Sequence, residues 1–145
     1  MSDLEAVSLK LEARGYRVTP PRRAVIAAAL QQSGHFTVDD LLRRCRGAGR
    51  ATVFRTMRLL TEAGVACRVL LDDGSLHYRL SERAQHHHHL VCTGCGKVQD
   101  LDECSVSDLV RELSRTSGYE IEGHWLEFYG QCAVCRNSVI VNVPA

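Results

Sequence analysis

The chain lacks any apolar run long enough to cross a bilayer, and its first ten residues, with Asp3 and Glu5 among them, have no apolar core of the kind a secretory signal needs. It also lacks the even cysteine count of a disulfide-stapled secreted domain. Seven cysteines in 145 residues suit a reducing compartment, where thiolates bind metal or stay free. These absences predict a soluble, cytoplasmic protein with no membrane partner. There is no internal repeat, and no low-complexity tract beyond four consecutive histidines, His86 to His89. No nucleophile motif is present either, which argues against a zinc hydrolase using those histidines with Glu82 or Glu103 as base.

What the chain does have is two cysteine pairs, Cys92-Thr-Gly-Cys95 and Cys132-Ala-Val-Cys135, the first following directly on the histidines. Two residues between cysteines let both thiolates reach one ion from a tight turn. Two such knuckles complete a tetrahedral all-sulfur shell suited to structural Zn²⁺. A disulfide within one knuckle would be strained.

Charge is unevenly placed. Residues 1–80 hold 13 Lys/Arg against 8 Asp/Glu, and residues 81–145 hold 5 against 9, so a net charge of +1 conceals a cationic, arginine-rich half and an acidic half. That asymmetry suits a nucleic-acid reader joined to a metal-holding domain. Helical spacing over 2–13 and a Thr19-Pro20-Pro21 start for a second helix are followed by a third helix capped by Thr37 and ended at Gly47. A fourth helix runs over 50–63. Apolar runs over 65–71 and 75–80, split by Asp72-Asp73-Gly74, read as a hairpin. Helices followed by a two-stranded wing make a winged helix.

On the fourth helix Val53, Met57 and Leu60 form the inner stripe, leaving Thr52, Phe54, Arg55 and Arg58 to face a major groove. Arg17, Arg22 and Arg23 are placed to grip the flanking backbone, with Arg17 directed to the minor groove. From Leu90 the pattern changes to short strands over 90–92, 97–101, 120–129 and 138–143. One helix over 105–117 has an apolar stripe of Val106, Leu109, Val110 and Leu113, able to lie on that sheet. A region this small calls for a zinc clip and dimerisation. The expected class is therefore α+β: a winged-helix DNA-binding domain over 1–81, a hinge near 81–88, and a small α/β dimerisation domain over 82–145 with a four-cysteine structural zinc site.

Arg17-Val-Thr-Pro-Pro-Arg22, Ala51-Thr-Val-Phe-Arg-Thr56, the segment from His86 to Lys97, and His124 with Tyr129-Gly-Gln-Cys132 resemble the ferric uptake regulator family in order and spacing. The resemblance covers essentially the whole chain. It implies a homodimeric repressor of metal-homeostasis genes at inverted-repeat operators in double-stranded DNA, with metal at the hinge setting the angle between the reading domains. In an extended segment side chains alternate, so His87 and His89 point one way and His86 and His88 the other. The resemblance implies that His87 and His89 join His35 in a sensor site. It implies a second site in which His86 and His88 meet His124.

This chain departs from the iron-type pattern. Arg79 stands where a carboxylate ligand is usual, leaving Glu82 and Cys67 as replacements in the sensor shell, whereas Ser81 stands where zinc sensors carry a cysteine. Ser107 likewise stands where the second site has a glutamate, for which Glu103 or Cys104 could substitute. Asp100 is grouped with this second site and is also, beside Cys67 and Glu82, a candidate to complete the sensor shell, since it matches a carboxylate that assists the sensor iron of peroxide-sensing relatives. Thiolate with imidazole favours Zn²⁺ as the regulatory ion over Fe²⁺ or Mn²⁺, with Ni²⁺ also open. The competing reading is an iron- or manganese-dependent peroxide sensor or an iron-responsive repressor of the same family. Cys45 is expected to be structural, and His77 to face solvent or a phosphate.

Overall fold

The computed structural model describes residues 3–81, 87–101 and 106–138. Two compact units divide the chain, Met1–Gln85 and His86–Ala145.

In the first unit, α1 (Asp3–Glu12) buries Leu11 and leans Leu4 and Val7 on the core. The prolines that open α2 (Pro20–Leu30) occupy its first turn, where an N–H would have no helical acceptor. Thr19 has the extended backbone of an N-cap, but its hydroxyl makes no capping bond, contrary to expectation. Pro21 removes one of the two donors such a hydroxyl could serve, the N–H of the second helical residue. Thr37, by contrast, builds a full capping box at α3 (Val38–Arg44): its hydroxyl accepts from the Asp40 N–H at 3.2 Å while Asp40 accepts from the Thr37 N–H at 2.7 Å. That N–H holds the Asp40 carboxyl below its ordinary range, against the opposing effect of burial. Because the folded value is depressed, the contribution is complete above the unfolded value and lost as pH falls through the folded one. Thr37→Ala is expected to cost about 1 kcal/mol in denaturant unfolding at neutral pH.

Helix α4 (Arg50–Glu62) buries Val53, Thr56, Met57 and Leu60 completely. Strands β2 (Ala66–Leu70) and β3 (Leu76–Leu80) then pair antiparallel through a turn in which Gly74 adopts φ 81° and Asp73 accepts from the Ser75 N–H at 2.8 Å. A third strand, β1 (His35–Phe36), joins the far edge of β3, giving the order β1-β3-β2. Phe36 drives this pairing, since its ring is 2 % exposed and stacks on its register partner Tyr78 at 6.5 Å. Cys45 lies in this core, where burial pushes its thiol up.

The second unit has β4 (His88–Cys92) at the centre of a three-stranded sheet, with β5 (Val98–Leu101) antiparallel on one side and β6 (Glu127–Gly130) parallel on the other. A parallel neighbour needs a long crossover, and α5 (Ser107–Ser117) lies within it. Two expected strands are corrected. Residues 118–126 are not strand, so only the end of the run over 120–129 pairs. Residues 133–138 form a helix, α6 (Ala133–Ser138), where the second cysteine pair turns the chain. The rest of the 138–143 run lies outside the described residues.

The apolar stripe of α5 is not buried among the described residues, although Val106 and Val110 are half-buried. Among the described residues it has no burying partner: no α5 residue is buried, and Leu109 and Leu113 are 56 % and 46 % exposed. Among the described residues no helix is long and apolar enough to cross a membrane.

Candidate metal centres and nucleic-acid interface

The four knuckle cysteines converge. Their sulfurs all lie within 4.8 Å of one another, and Cys95 Sγ sits 3.9 Å from Cys132 Sγ. A zinc tetrahedron with bonds of about 2.3 Å has edges of about 3.8 Å, so the spacing fits this ion. Backbone geometry favours thiolate here. The N–H of Cys132 donates to Cys92 Sγ at 3.3 Å, and with the N–H groups of Cys95 and Gly94 it brings the Cys92 thiol down to about 6. Cys135 is pushed up to about 12 by the sulfurs of Cys132, Cys92 and Cys95 crowded against it. A shell that makes one thiolate easy and another hard wants a dication to balance the charge. Gly94 is part of the design: a Cβ there would stand 2.9 Å from Cys135 Sγ.

His88 and His89 face opposite sides of β4, as alternation predicts, and the sheet register gives their partners. His88 Nε2 lies 3.2 Å from His124 Nε2, and His88 Nδ1 is held by the Leu126 carbonyl at 3.2 Å. His87 and His89 form a second pair, with ring centroids 5.0 Å apart. Glu82, His86 and Glu103 lie outside the described residues, as does Cys104.

Asp100 requires a correction. It is the register partner of His89, with Oδ1 4.0 Å from His89 Nε2, and so it belongs to the His87–His89 face rather than to the His88–His124 pair. Register parity decides this, because His88 pairs with Leu101 and successive residues face opposite sides. On the other flank of β4, Glu127 is the partner of His89 and accepts from its Nδ1 at 3.1 Å. The Glu127 side chain is 3 % exposed and also accepts from the Trp125 indole N–H at 3.3 Å. Sequence reasoning missed Glu127. Its one signal is a lone carboxylate interrupting the apolar run Trp125-Leu126-Glu127-Phe128-Tyr129.

In the first unit, His35 and Cys67 are register partners of the same residue, Arg79, from opposite sides of β3. Cross-strand partners share a face, so the three form one row. The Cys67 thiol donates to the Arg79 carbonyl at 3.6 Å. His77, two residues back on β3, meets His35 rather than solvent: their Nδ1 atoms are 2.8 Å apart. Burial pushes the His77 imidazole down, and the neighbouring His35 adds to this.

Helix α4 presents an outer face of the expected kind. Phe54 is 45 % exposed and Arg55 and Arg58 are exposed, while Thr52 is half-buried with its carbonyl taken by the Thr56 hydroxyl at 2.7 Å. Arg58 is engaged, its Nε donating to Glu62 Oε1 at 2.8 Å. The Arg22 guanidinium donates to the Arg17 carbonyl, holding the loop before α2, and the Arg17 side chain stays exposed.

These centres can be set beside known proteins. A sequence model described as the ferric uptake regulator family matches residues 13–129. The chain is 33 % identical over 140 residues to the ferric uptake regulation protein of Bacillus subtilis (strain 168), covering 92 % of this chain and 94 % of that one. It is 27 % identical over 129 residues to the peroxide operon regulator of the same organism, covering 86 % and 88 %. A solved zinc uptake regulator complexed with zinc and DNA shares the fold with a TM-score of 0.74, at 24 % identity and with 97 % and 99 % coverage. The family model takes in α2 to α4, the wing and the histidine sheet in one continuous match; the chain belongs to the ferric uptake regulator family, a family of metal-responsive transcriptional regulators.

Proposed function

We propose that this chain is a zinc-responsive repressor that acts in the cytoplasm as a homodimer on inverted-repeat operators, with Zn²⁺ also held structurally by Cys92, Cys95, Cys132 and Cys135. The observation that carries the metal assignment is the row His35–Arg79–Cys67 on the wing. A guanidinium cannot ligate a cation, so at this row the donors are imidazole and thiol, the pair that suits zinc better than iron or manganese. His35 and Cys67 of the first unit, with His87 and His89 of the second, are the proposed sensor ligands, and Glu82 remains a candidate beside them. His88 and His124, with His86, are the proposed second site, in which Glu103 stays a candidate.

A bound ion would supply cross-linking between these donors, and only affinity that differs between DNA-competent and incompetent states can act as a switch. The chain's own residues do the rest. Phe54 and Arg55 supply the major-groove contacts, an apolar edge for thymine methyls and a fork for guanine or phosphate. Arg58 joins them by exchanging Glu62 for a phosphate, and Thr52, Arg17 and Arg22 position the backbone. The uncovered stripe of α5 supports self-association, because a second copy of this helix could cover it. A regulatory role rather than catalysis is the reading that family membership supports.

The test is operator binding titrated against buffered free Zn²⁺, Fe²⁺, Mn²⁺ and Ni²⁺, with elemental analysis of natively isolated protein. Zinc is expected to induce binding at the lowest free concentration; binding that survives chelation unchanged would reject the reading. Glu127→Gln checks the sensor assignment more finely. Glu127 fixes the Nδ1–H tautomer of His89 and leaves Nε2 for metal, so its loss is expected to weaken zinc affinity by roughly 10–100-fold at unchanged fold.

Asp100 beside His89 favours one alternative, a peroxide sensor with iron held by His35, His87, His89 and Asp100. Mass spectrometry after Fe²⁺ and peroxide treatment would then show an added oxygen on His35 or His89. Its absence removes this alternative.

A further inference from the structure

His77 and His35 are brought together by the short strand β1. Register places His35 opposite Arg79, and His77 lies two residues along β3 on the same face, so the two imidazoles approach edge to face with centroids 4.7 Å apart and 72° between planes. Their contact atoms are both Nδ1, 2.8 Å apart. Only one of the two nitrogens can carry the hydrogen of that contact, so the other presents its lone pair. A divalent cation can take the hydrogen's place and accept both lone pairs. Two imidazole nitrogens on a tetrahedral ion with bonds of about 2.0–2.1 Å stand about 3.3 Å apart, so the pair needs to open by only about 0.5 Å.

The remaining nitrogen of His77 is already held. Its Nε2 contacts the Ser75 hydroxyl at 3.1 Å, and Ser75 is tied by its own N–H to Asp73 in the Gly74 turn. Orientation of a ligand imidazole through its other nitrogen is the usual arrangement in metal sites. The same face carries Arg79, which cannot serve as a ligand, so the wing offers His77 beside His35 as an alternative to Cys67 in a four-donor shell.

The geometry assigns His77 as a metal ligand, binding a divalent cation of the Zn²⁺, Co²⁺ or Ni²⁺ class through Nδ1 together with Nδ1 of His35. The assignment rests on the proposed role of His35 in the sensor site and adds to it a residue of the wing, the hairpin that flanks the reading helix.

The test uses the full-length chain with zinc in its four-cysteine site and Co²⁺ as the probe of the remaining site. Visible absorption and X-ray absorption count imidazole ligands, and competition with a chromophoric chelator gives Zn²⁺ affinity. His77→Ala is expected to remove one imidazole from the count and to weaken affinity by more than the roughly 10–100-fold that an outer-shell partner is worth. His77→Gln keeps a hydrogen-bonding group beside His35 but is a poor ligand, so it is expected to behave like the alanine variant. An unchanged imidazole count and affinity in His77→Gln would overturn the assignment and leave His77 as a hydrogen-bond partner alone. His87→Ala separates the two readings. If it loses affinity while both His77 variants keep it, this inference fails and the proposed function stands; if the His77 variants lose affinity and His87→Ala does not, the ion belongs to the wing and the sensor reading fails.

Discussion

Cys92→Ser is expected to unfold the second unit or bring its melting temperature down to that of chelator-treated wild type, with loss of one equivalent of zinc per chain. The size of the effect follows from how little else holds this unit. Its described apolar core is small, with Val91 and Cys92 the buried apolar residues. Structural zinc at the proposed four-cysteine site would therefore contribute on the order of several kcal/mol of its folding free energy. A whole domain of this kind is stabilised by only about 5–15 kcal/mol, so losing the ion removes a large share. Cys92 is the most sensitive of the four positions because it anchors both knuckles: its sulfur accepts from the Cys132 N–H, and its own strand is the centre of the sheet. Gly94→Ala tests the same shell without deleting a ligand. The new Cβ would press on Cys135 Sγ, so partial zinc loss is expected. Calorimetry with zinc quantitation decides both, and a Cys92→Ser protein that melts like untreated wild type would remove the site.

How far the sequence reaches can be seen residue by residue. Helices α1 to α4 are readable because their determinants, apolar stripes in α1 and α4, the opening prolines of α2 and the cap of α3, are neighbours in the chain; Thr37 and Asp40 are three residues apart. The wing hairpin is readable for the same reason. The two-residue strand β1 is not, since a strand of that length has no periodicity, and its position is decided by Phe36 seeking Tyr78 across the fold. Sequence alone consequently sends His77 to solvent when it meets His35. Alternation along the histidine run is also local, and it correctly separates His88 from His87 and His89. Which carboxylates those faces meet depends on the registers of β5 and β6, so sequence leaves Asp100 open between the two sites and passes over Glu127. Parallel pairing over a crossover of more than about thirty residues leaves no local trace. The stripe of α5 is readable as amphipathic, but its periodicity is silent about what covers it.

On the proposed function, replacing His87 and His89 together by alanine is expected to abolish metal-dependent operator affinity while the protein keeps its fold, its self-association and the metal of its four-cysteine site. The expectation rests on separation of roles along one strand. His87 and His89 share a face with Asp100 and Glu127, whereas His88 packs on His124 and Cys92 belongs to the thiolate shell. Removing the first pair leaves the other sets intact, so folding and switching come apart. Burial sets the control. His89 is 5 % exposed and bonded to Glu127, so its deletion strands a buried carboxylate that would cost stability by itself. The informative variant therefore adds Glu127→Gln to the double substitution, which removes the stranded charge. If this triple variant melts with wild type and no longer responds to zinc, the loss is one of sensing; if it still binds operator in a zinc-dependent manner, the sensor ligands lie elsewhere and the assignment of His87 and His89 is wrong.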